Sequence, residues 1–438
     1  MMSLGGALRI HHSSFIIVEG AMGTSTDTPV APTGLRGLPR NVWVVTAASF
    51  LTDISSEMIL HLLPLFLANV LGVRTSVIGL IEGVAETSSS LLKIFSGWLS
   101  DRLGDRKWLT VAGYSLSTLA KPFLVVANTW GAVLAVRFAD RVGKGIRTAP
   151  RDALVADSID EKRRGLAFGL HRAGDTAGAL IGLLIALGVV YALQGADLTL
   201  QRPTFQTLVL ISIAPAVLAV LVLAAAAKNV PVTSQRERPR LSLAGFDPRF
   251  KRFLIVMVLF TLGNSSDAFL VLRAQSLGLS VAGVMGVLAL FNLVYALIST
   301  PAGALSDRIG RRKLIVGGWL AYAVIYLGFG LAGAAWQIWA LFALYGIYYG
   351  LAEGAGKALV ADVVAPAQRG TAYGVYNAAI GLAAFPASLI AGLLWQGVGG
   401  WAGFGPSAPF LFGAGMALLA VVLLMLWLPG DGRMQRPG

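Results

Sequence analysis

Several ionisable residues stand at helical spacing inside stretches otherwise apolar enough for a membrane. Asp53, Glu57 and His61 follow one another at four-residue intervals and share an arc of about 80°. Glu82, Glu86 and Lys93, with Ser89, occupy one face of the next stretch. The richest set lies between Trp130 and Asp157, where Arg137, Asp140, Arg141, Lys144, Arg147, Arg151 and Asp152 fall within an arc of about 140°. Arg172 and Asp175 follow in a fifth stretch. Each charge in lipid costs about 2.5–3.5 kcal/mol on insertion scales, so these stripes must face protein or a wet cavity. Carboxylates beside guanidinium and ammonium groups can exchange protons and recognise charged ligands. Covalent catalysis lacks its parts: no Ser-His-Asp or HExxH grouping occurs, and there is no cysteine. Gly143-Lys144-Gly145 lacks the preceding glycine of a phosphate loop and falls within a helix, so no ATP site is expected.

The elements positioning these residues are membrane helices. Of 438 residues, 56% are hydrophobic and 13% charged, against about 25% charged in a soluble domain. Apolar runs of about 20 residues recur, rich in Gly and Ala and without the alternation of a β-barrel strand. The fold class expected is an all-α membrane protein of twelve transmembrane helices, at about 42–68, 77–100, 107–127, 131–154, 165–192, 206–227, 250–273, 280–304, 312–333, 337–360, 371–396 and 408–429. Residues 1–40 read as a disordered cytoplasmic tail in which Met22 could serve as the start, and His11 and His12 as incidental. Residues 41–227 and 250–430 form two halves joined by a polar, basic linker at 228–249, with a short tail at 431–438.

Counting Lys and Arg by connection places 23 on the side of the N-terminus, nine inside spans and only Arg74, Arg202 and Arg273 on the other side. The positive-inside rule then puts both termini in the cytoplasm of a plasma (bacterial inner) membrane. It also accounts for the formal charge of +13 without a nucleic-acid partner. The halves are copies. Ser96–Lys107 (SGWLSDRLGDRK) recurs 206 residues later at Ala302–Lys313 (AGALSDRIGRRK) with eight of twelve residues identical, and ALVAD at 153–157 recurs at 358–362. Two six-span repeats with a site between them are a transporter architecture.

Gly97, Asp101, Arg102, Gly104, Arg106 and Lys107, between spans 2 and 3, form a loop that resembles the GxLxDRxGRR/K signature of the major facilitator superfamily (MFS). Gly303, Asp307, Arg308, Gly310, Arg311, Arg312 and Lys313 repeat it between spans 8 and 9. The resemblance covers nearly everything after residue 40. It implies an MFS fold of two pseudo-symmetric halves, an alternating-access transporter and not an enzyme, and a cytoplasmic loop that latches the halves when the cavity faces outward. Two further likenesses, to drug/proton antiporters, are incomplete. In the RxxQG pattern of span 4, Arg137 keeps its place while Asp140 and Arg141 replace Gln and Gly. In the G-x3-GP-x2-GG pattern of span 5, Gly174, Gly178 and Gly182 keep the spacing, but Ala179 and Leu183 replace Pro and the last Gly.

Depths along the spans bring acids on spans 1, 2 and 5 level with bases on span 4. The expected mechanism has Asp53 or Glu57 exchanging a proton while paired with Arg137 or Arg141. A divalent-metal site at Asp53, Glu57 and His61 is the weaker reading, because nearby Arg and Lys repel cations. The C-terminal half is poorer in charge. Its polar candidates are Asn264, Asp267, Asn292, Tyr295, Glu353, Lys357, Tyr376 and Asn377, and the rest of it is expected to offer an apolar substrate surface. The function expected is proton-coupled export of a small organic compound, with proton-coupled uptake of an organic anion or metal chelate as the rival. Partners are then a small-molecule substrate, protons and membrane lipids, with no nucleic acid, no cofactor and a monomeric chain.

Overall fold

The computed structural model describes residues 35–160, 163–230, 243, 245–309, 311–364 and 368–428; of 36, 300–309, 311, 352–358, 361–362 and 369–370 only the backbone is described. Residues 1–34 of the tail expected at 1–40, most of the linker (231–242 and 244) and the end of the chain lie outside these. Every regular element among the described residues is helical. The spans run Arg40–Val70, Thr75–Leu103, Arg106–Leu124, Trp130–Asp157, Arg164–Gln194, Arg202–Ala226, Pro248–Ser276, Val281–Ile309, Arg311–Leu331, Ala335–Val363, Arg369–Gln396 and Ala408–Trp427. Eight of these twelve are long and apolar enough to cross a membrane on composition alone; the charge-bearing spans 2 and 4 are among the other four.

Neighbours repeat between the halves. Span 1 packs on 5 and 6, and span 2 on 4; span 7 packs on 11 and 12, and span 8 on 10. The halves meet through spans 2 and 11 and spans 5 and 8. Glycine sets these approaches. A Cβ at Gly79 would fall 2.2 Å from the Ser388 carbonyl oxygen, and one at Gly392 2.4 Å from that of Thr75. Within the first half, Gly178 and Gly182 of span 5 lie against the Phe50 and Ile54 carbonyls of span 1, where a Cβ would come to 2.4 and 2.6 Å. The spacing read in span 5 is therefore a packing seam.

The halves are closed at the end bearing the 1–2, 5–6, 7–8 and 11–12 connections. Val281 N donates to Asp197 O (3.0 Å) and Gln275 Nε2 to Leu198 O (2.6 Å). Across spans 2 and 11, Thr75 N donates to Gln396 Oε1 (2.9 Å) and Arg74 Nη1 to Gly399 O (3.2 Å).

Spans 1 and 7 are broken where single helices were expected. The first helix of span 1 ends at Leu60 and resumes, past His61 and Leu62, as a short turn and a π-turn to Val70. Span 7 stops at Gly263 and restarts at Ala268. The four residues between, Asn264 to Asp267, have side chains that compete for backbone hydrogen bonds, which disfavours helix. Irregular backbone at membrane depth is tolerated only against protein or a wet cavity; the Tyr322 hydroxyl donates to the freed Gly263 carbonyl at 3.2 Å. Arg273, expected in an outer loop, is instead buried and donates to the Phe329 and Ala332 carbonyls at 2.9 and 2.8 Å. It caps the end of span 9, a use that a count of loop charges does not distinguish from exposure.

Candidate functional site

Span 4 starts at Thr129, whose side chain accepts from Ala132 N, and its charged face turns inward. Arg137, Arg141 and Arg147 are buried, whereas Phe138 on the other side is exposed. Close packing on span 2 follows from Gly145, where a Cβ would meet that of Leu92 at 2.5 Å, and Ser96 Oγ donates to the Gly145 carbonyl at 2.9 Å. This contact sets the partners. Arg137 Nη2 donates to Glu82 Oε2 at 2.9 Å, and Arg141 Nη1 lies 3.3 Å from Glu86 Oε1. Asp140 Oδ2 sits 3.9 Å from both guanidinium groups. The partners expected for Arg137 and Arg141, Asp53 or Glu57, are not those found. Span 2 supplies them, because it lies alongside span 4, and Glu57 is held by His61 Nε2 one turn along its own helix at 3.0 Å.

Two cavities flank this wall. A central one of about 380 Å³ lies between the halves, lined by His61, Glu82, Glu86, Arg137, Arg141 and Lys144 from the first half. The second half faces them with Thr261, the whole span 7 break from Asn264 to Asp267, Tyr349 and Ser388. An apolar surface was expected there; the break supplies polar side chains instead. Asn264 Oδ1 accepts from Tyr322 at 3.3 Å, and Asp267 Oδ1 from Tyr345 at 3.4 Å. A smaller chamber of about 70 Å³ lies behind the wall within the first half, where Asp53, Glu57 and Asp140 meet Lys121, Arg147 and the inner faces of Arg137, Arg141 and Lys144.

Sequence reasoning passed over Lys121, a lone cation near the end of span 3. It is buried, and its Nζ donates to the hydroxyls of Ser55 and Ser56. Also missed were His171, whose Nε2 is 3.6 Å from Asp175 Oδ2, and the stacked tyrosines 322 and 326 with ring centres 4.0 Å apart. A single polar residue in an apolar run was the available signal for the first two. Arg172 lies outside both cavities and donates to the Tyr295 hydroxyl across spans 5 and 8. Asn292 donates to Leu288 O on its own helix (3.0 Å), Tyr376 stacks on Phe253, and Asn377 is exposed. These, too, line neither cavity. The side chains of Glu353 and Lys357 lie outside the described residues.

The loop after span 2 is a clasp. Gly104 turns the chain at φ +67° and Asp105 caps span 3 by accepting from Trp108 N. Arg106, buried, donates to Asp101 Oδ1 (2.9 Å) and the Ala153 carbonyl (3.1 Å) and pairs with Asp157, tying spans 2, 3 and 4 together. Arg102 and Lys107 lie over the rings of Trp98 and Trp108. Gly303, Asp307, Arg308, Gly310 and Arg311 of the second copy lie outside the described side chains; Arg312 Nη2 donates to Met425 O at 3.3 Å.

Twelve spans in two matching halves, with a charged cavity between them, define a membrane transporter. Residues 45–272 and 253–437 match the Major Facilitator Superfamily, and the chain belongs to that family. An MFS-type transporter of Methanocaldococcus jannaschii is 35% identical over 89% of this chain and 95% of its own. The multidrug resistance protein MdtG of Proteus mirabilis is 28% identical over 63% of this chain and 69% of its own. Among solved structures, the nucleoside transporter NupG has a TM-score of 0.72 at 15% identity, covering 89% of this chain and 100% of its own, a likeness of fold alone. The protein is a transporter, not an enzyme.

Proposed function

We propose that this protein exports a small organic compound across the plasma membrane in exchange for protons. With both termini cytoplasmic, as the loop charges favour, the closed end described above is the outer one, and the substrate cavity is in its inward-oriented state. The loop clasp at Asp101 and Arg106 then belongs to the first half alone, and its latching of the two halves belongs to the outward-oriented state. Transport proceeds as the halves, 41–227 and 250–430, rock about the cavity, and a monomer suffices because both halves lie in one chain.

The carrying observation is the Glu86–Arg141 pair on the cavity wall. Glu86 is 43% exposed and so can meet protons from the aqueous side, while Arg141 is only 5% exposed and depends on it for neutralisation. Protonation of Glu86 would free Arg141 and change the charge that the substrate meets; Glu82 and Arg137 form the deeper copy of the same device. Ion pairs taken partly or wholly out of water are poor stabilisers compared with apolar packing, so two in one wall fit a switching role. The similarity to MdtG favours export. The rival, proton-coupled uptake of an organic anion, draws on the surplus of bases around the smaller chamber.

The test is substrate flux in proteoliposomes under an imposed pH gradient. Export by exchange moves substrate against the direction of proton flow, and uptake by symport moves it along. A flux indifferent to the gradient would remove proton coupling altogether.

A further inference from the structure

Among the described residues, the charges that line the central cavity do not all find a partner. Arg137 and Arg141 are taken by Glu82 and Glu86, and His61 by Glu57. Two of the described ions lining the cavity are left over, one on each half. Lys144 lines both cavities, and among the described residues its Nζ makes no hydrogen bond or ion pair. Opposite, Asp267 sits in the span 7 break, and its carboxylate has no ion pair among the described residues, only the long hydrogen bond from Tyr345. His61 and Asp267 stand 206 residues apart, the offset of the loop repeat, so the two first helices break at matching places. An unpaired charge away from bulk water is costly until a counter-ion arrives. A ligand with one charge satisfies only one of the two.

Resting on the reading of this cavity as the substrate site, we propose that it selects small zwitterions, the anionic end on Lys144 and the cationic end on Asp267. About 380 Å³ suits a small organic molecule. Because Lys144 belongs to the first half and Asp267 to the second, a zwitterion binds best when both halves are engaged. Its own binding energy then favours the closed arrangement needed in mid-cycle. Tyr349 lines the cavity from the same half as Asp267.

The test is equilibrium binding to the purified full chain in detergent, read as ligand-induced thermal stabilisation. The probes are ω-amino acids from glycine to 6-aminohexanoate, each beside its N-acetyl and carboxamide derivatives, which lack one charge. At least one amino acid should stabilise the protein with a midpoint tenfold or more below those of both derivatives. Lys144→Gln should erase the preference over the carboxamide and keep that over the N-acetyl form; Asp267→Asn should do the reverse. Equal midpoints within each trio, stabilisation by none of the amino acids, or preferences that survive both substitutions would each overturn the proposal. The wild-type comparison stands even if a variant is not recovered. Zwitterion binding without pH-driven flux would leave this recognition intact and remove the coupling, whereas the converse would remove the recognition alone.

Discussion

Arg137 on span 4 and Glu82 on span 2 meet at 2.9 Å with side chains only 7% and 5% exposed, facing the cavity between the halves. Each is a charge the membrane interior would reject, and each is accommodated by the other. Removing one partner leaves an uncompensated buried ion, which costs about 3–5 kcal/mol, whereas removing both for apolar residues of similar size is close to neutral. Glu82→Leu and Arg137→Met should therefore each lower the melting temperature in detergent, and the double variant should recover most of the loss. Additive losses would show that the two do not act as a pair.

Glu86 is the more accessible acid of the wall. Glu86→Gln should abolish the response of flux to a pH gradient while leaving substrate counterflow, which needs no proton, within about twofold to threefold of wild type. The amide keeps the size and loses only the titration. Gradient-driven transport that survives in this variant, measured in the same vesicles, would place the proton elsewhere, with Asp53 in the smaller chamber the next candidate.

The seam between spans 2 and 11 has no room for side chains. Gly79→Val and Gly392→Ala should each wedge this end open, because the added carbon meets backbone oxygen at 2.2 and 2.4 Å. The sequence has no cysteine, so a single one can report without background. Ser76→Cys, buried at this seam, should react with a membrane-impermeant maleimide severalfold faster in either glycine variant than with the glycines intact. Unchanged labelling would mean that the seam adjusts without opening.

Tyr322 supports the break in span 7 through the Gly263 carbonyl and the Asn264 amide oxygen. Tyr322→Phe leaves a buried acceptor unpaired, at a cost of about 1–3 kcal/mol. A lower melting temperature is expected, together with weaker ligand-induced stabilisation, since residues 264–267 line the cavity. Loss of stability alone would make the tyrosine a support for the helix and nothing more.

The sequence carried the membrane class, the twelve helices, the duplication and the inward-turned face of span 4. Hydropathy, charge spacing and repetition are properties of one segment or of two compared end to end. Asn264 and Asp267 were recognisable as polar residues in an apolar span, but not as the edges of a break. That depended on Tyr322 being near enough to replace a lost backbone partner.

Which acid meets which base was decided only by the tertiary structure. A helical period tells which side of span 4 bears its charge; it does not tell which helix lies against that side. Gly145 against Leu92 brings span 2 there, so Glu82 and Glu86 take the arginines, and Asp53, on an equally plausible face by spacing, is left beside the smaller chamber. That Lys144 and Asp267 have no ion pair among the described residues is likewise a remainder, defined only once the other charges lining the central cavity have found their neighbours. Local composition sets what each helix must hide; the packing of helices far apart in the chain sets with whom.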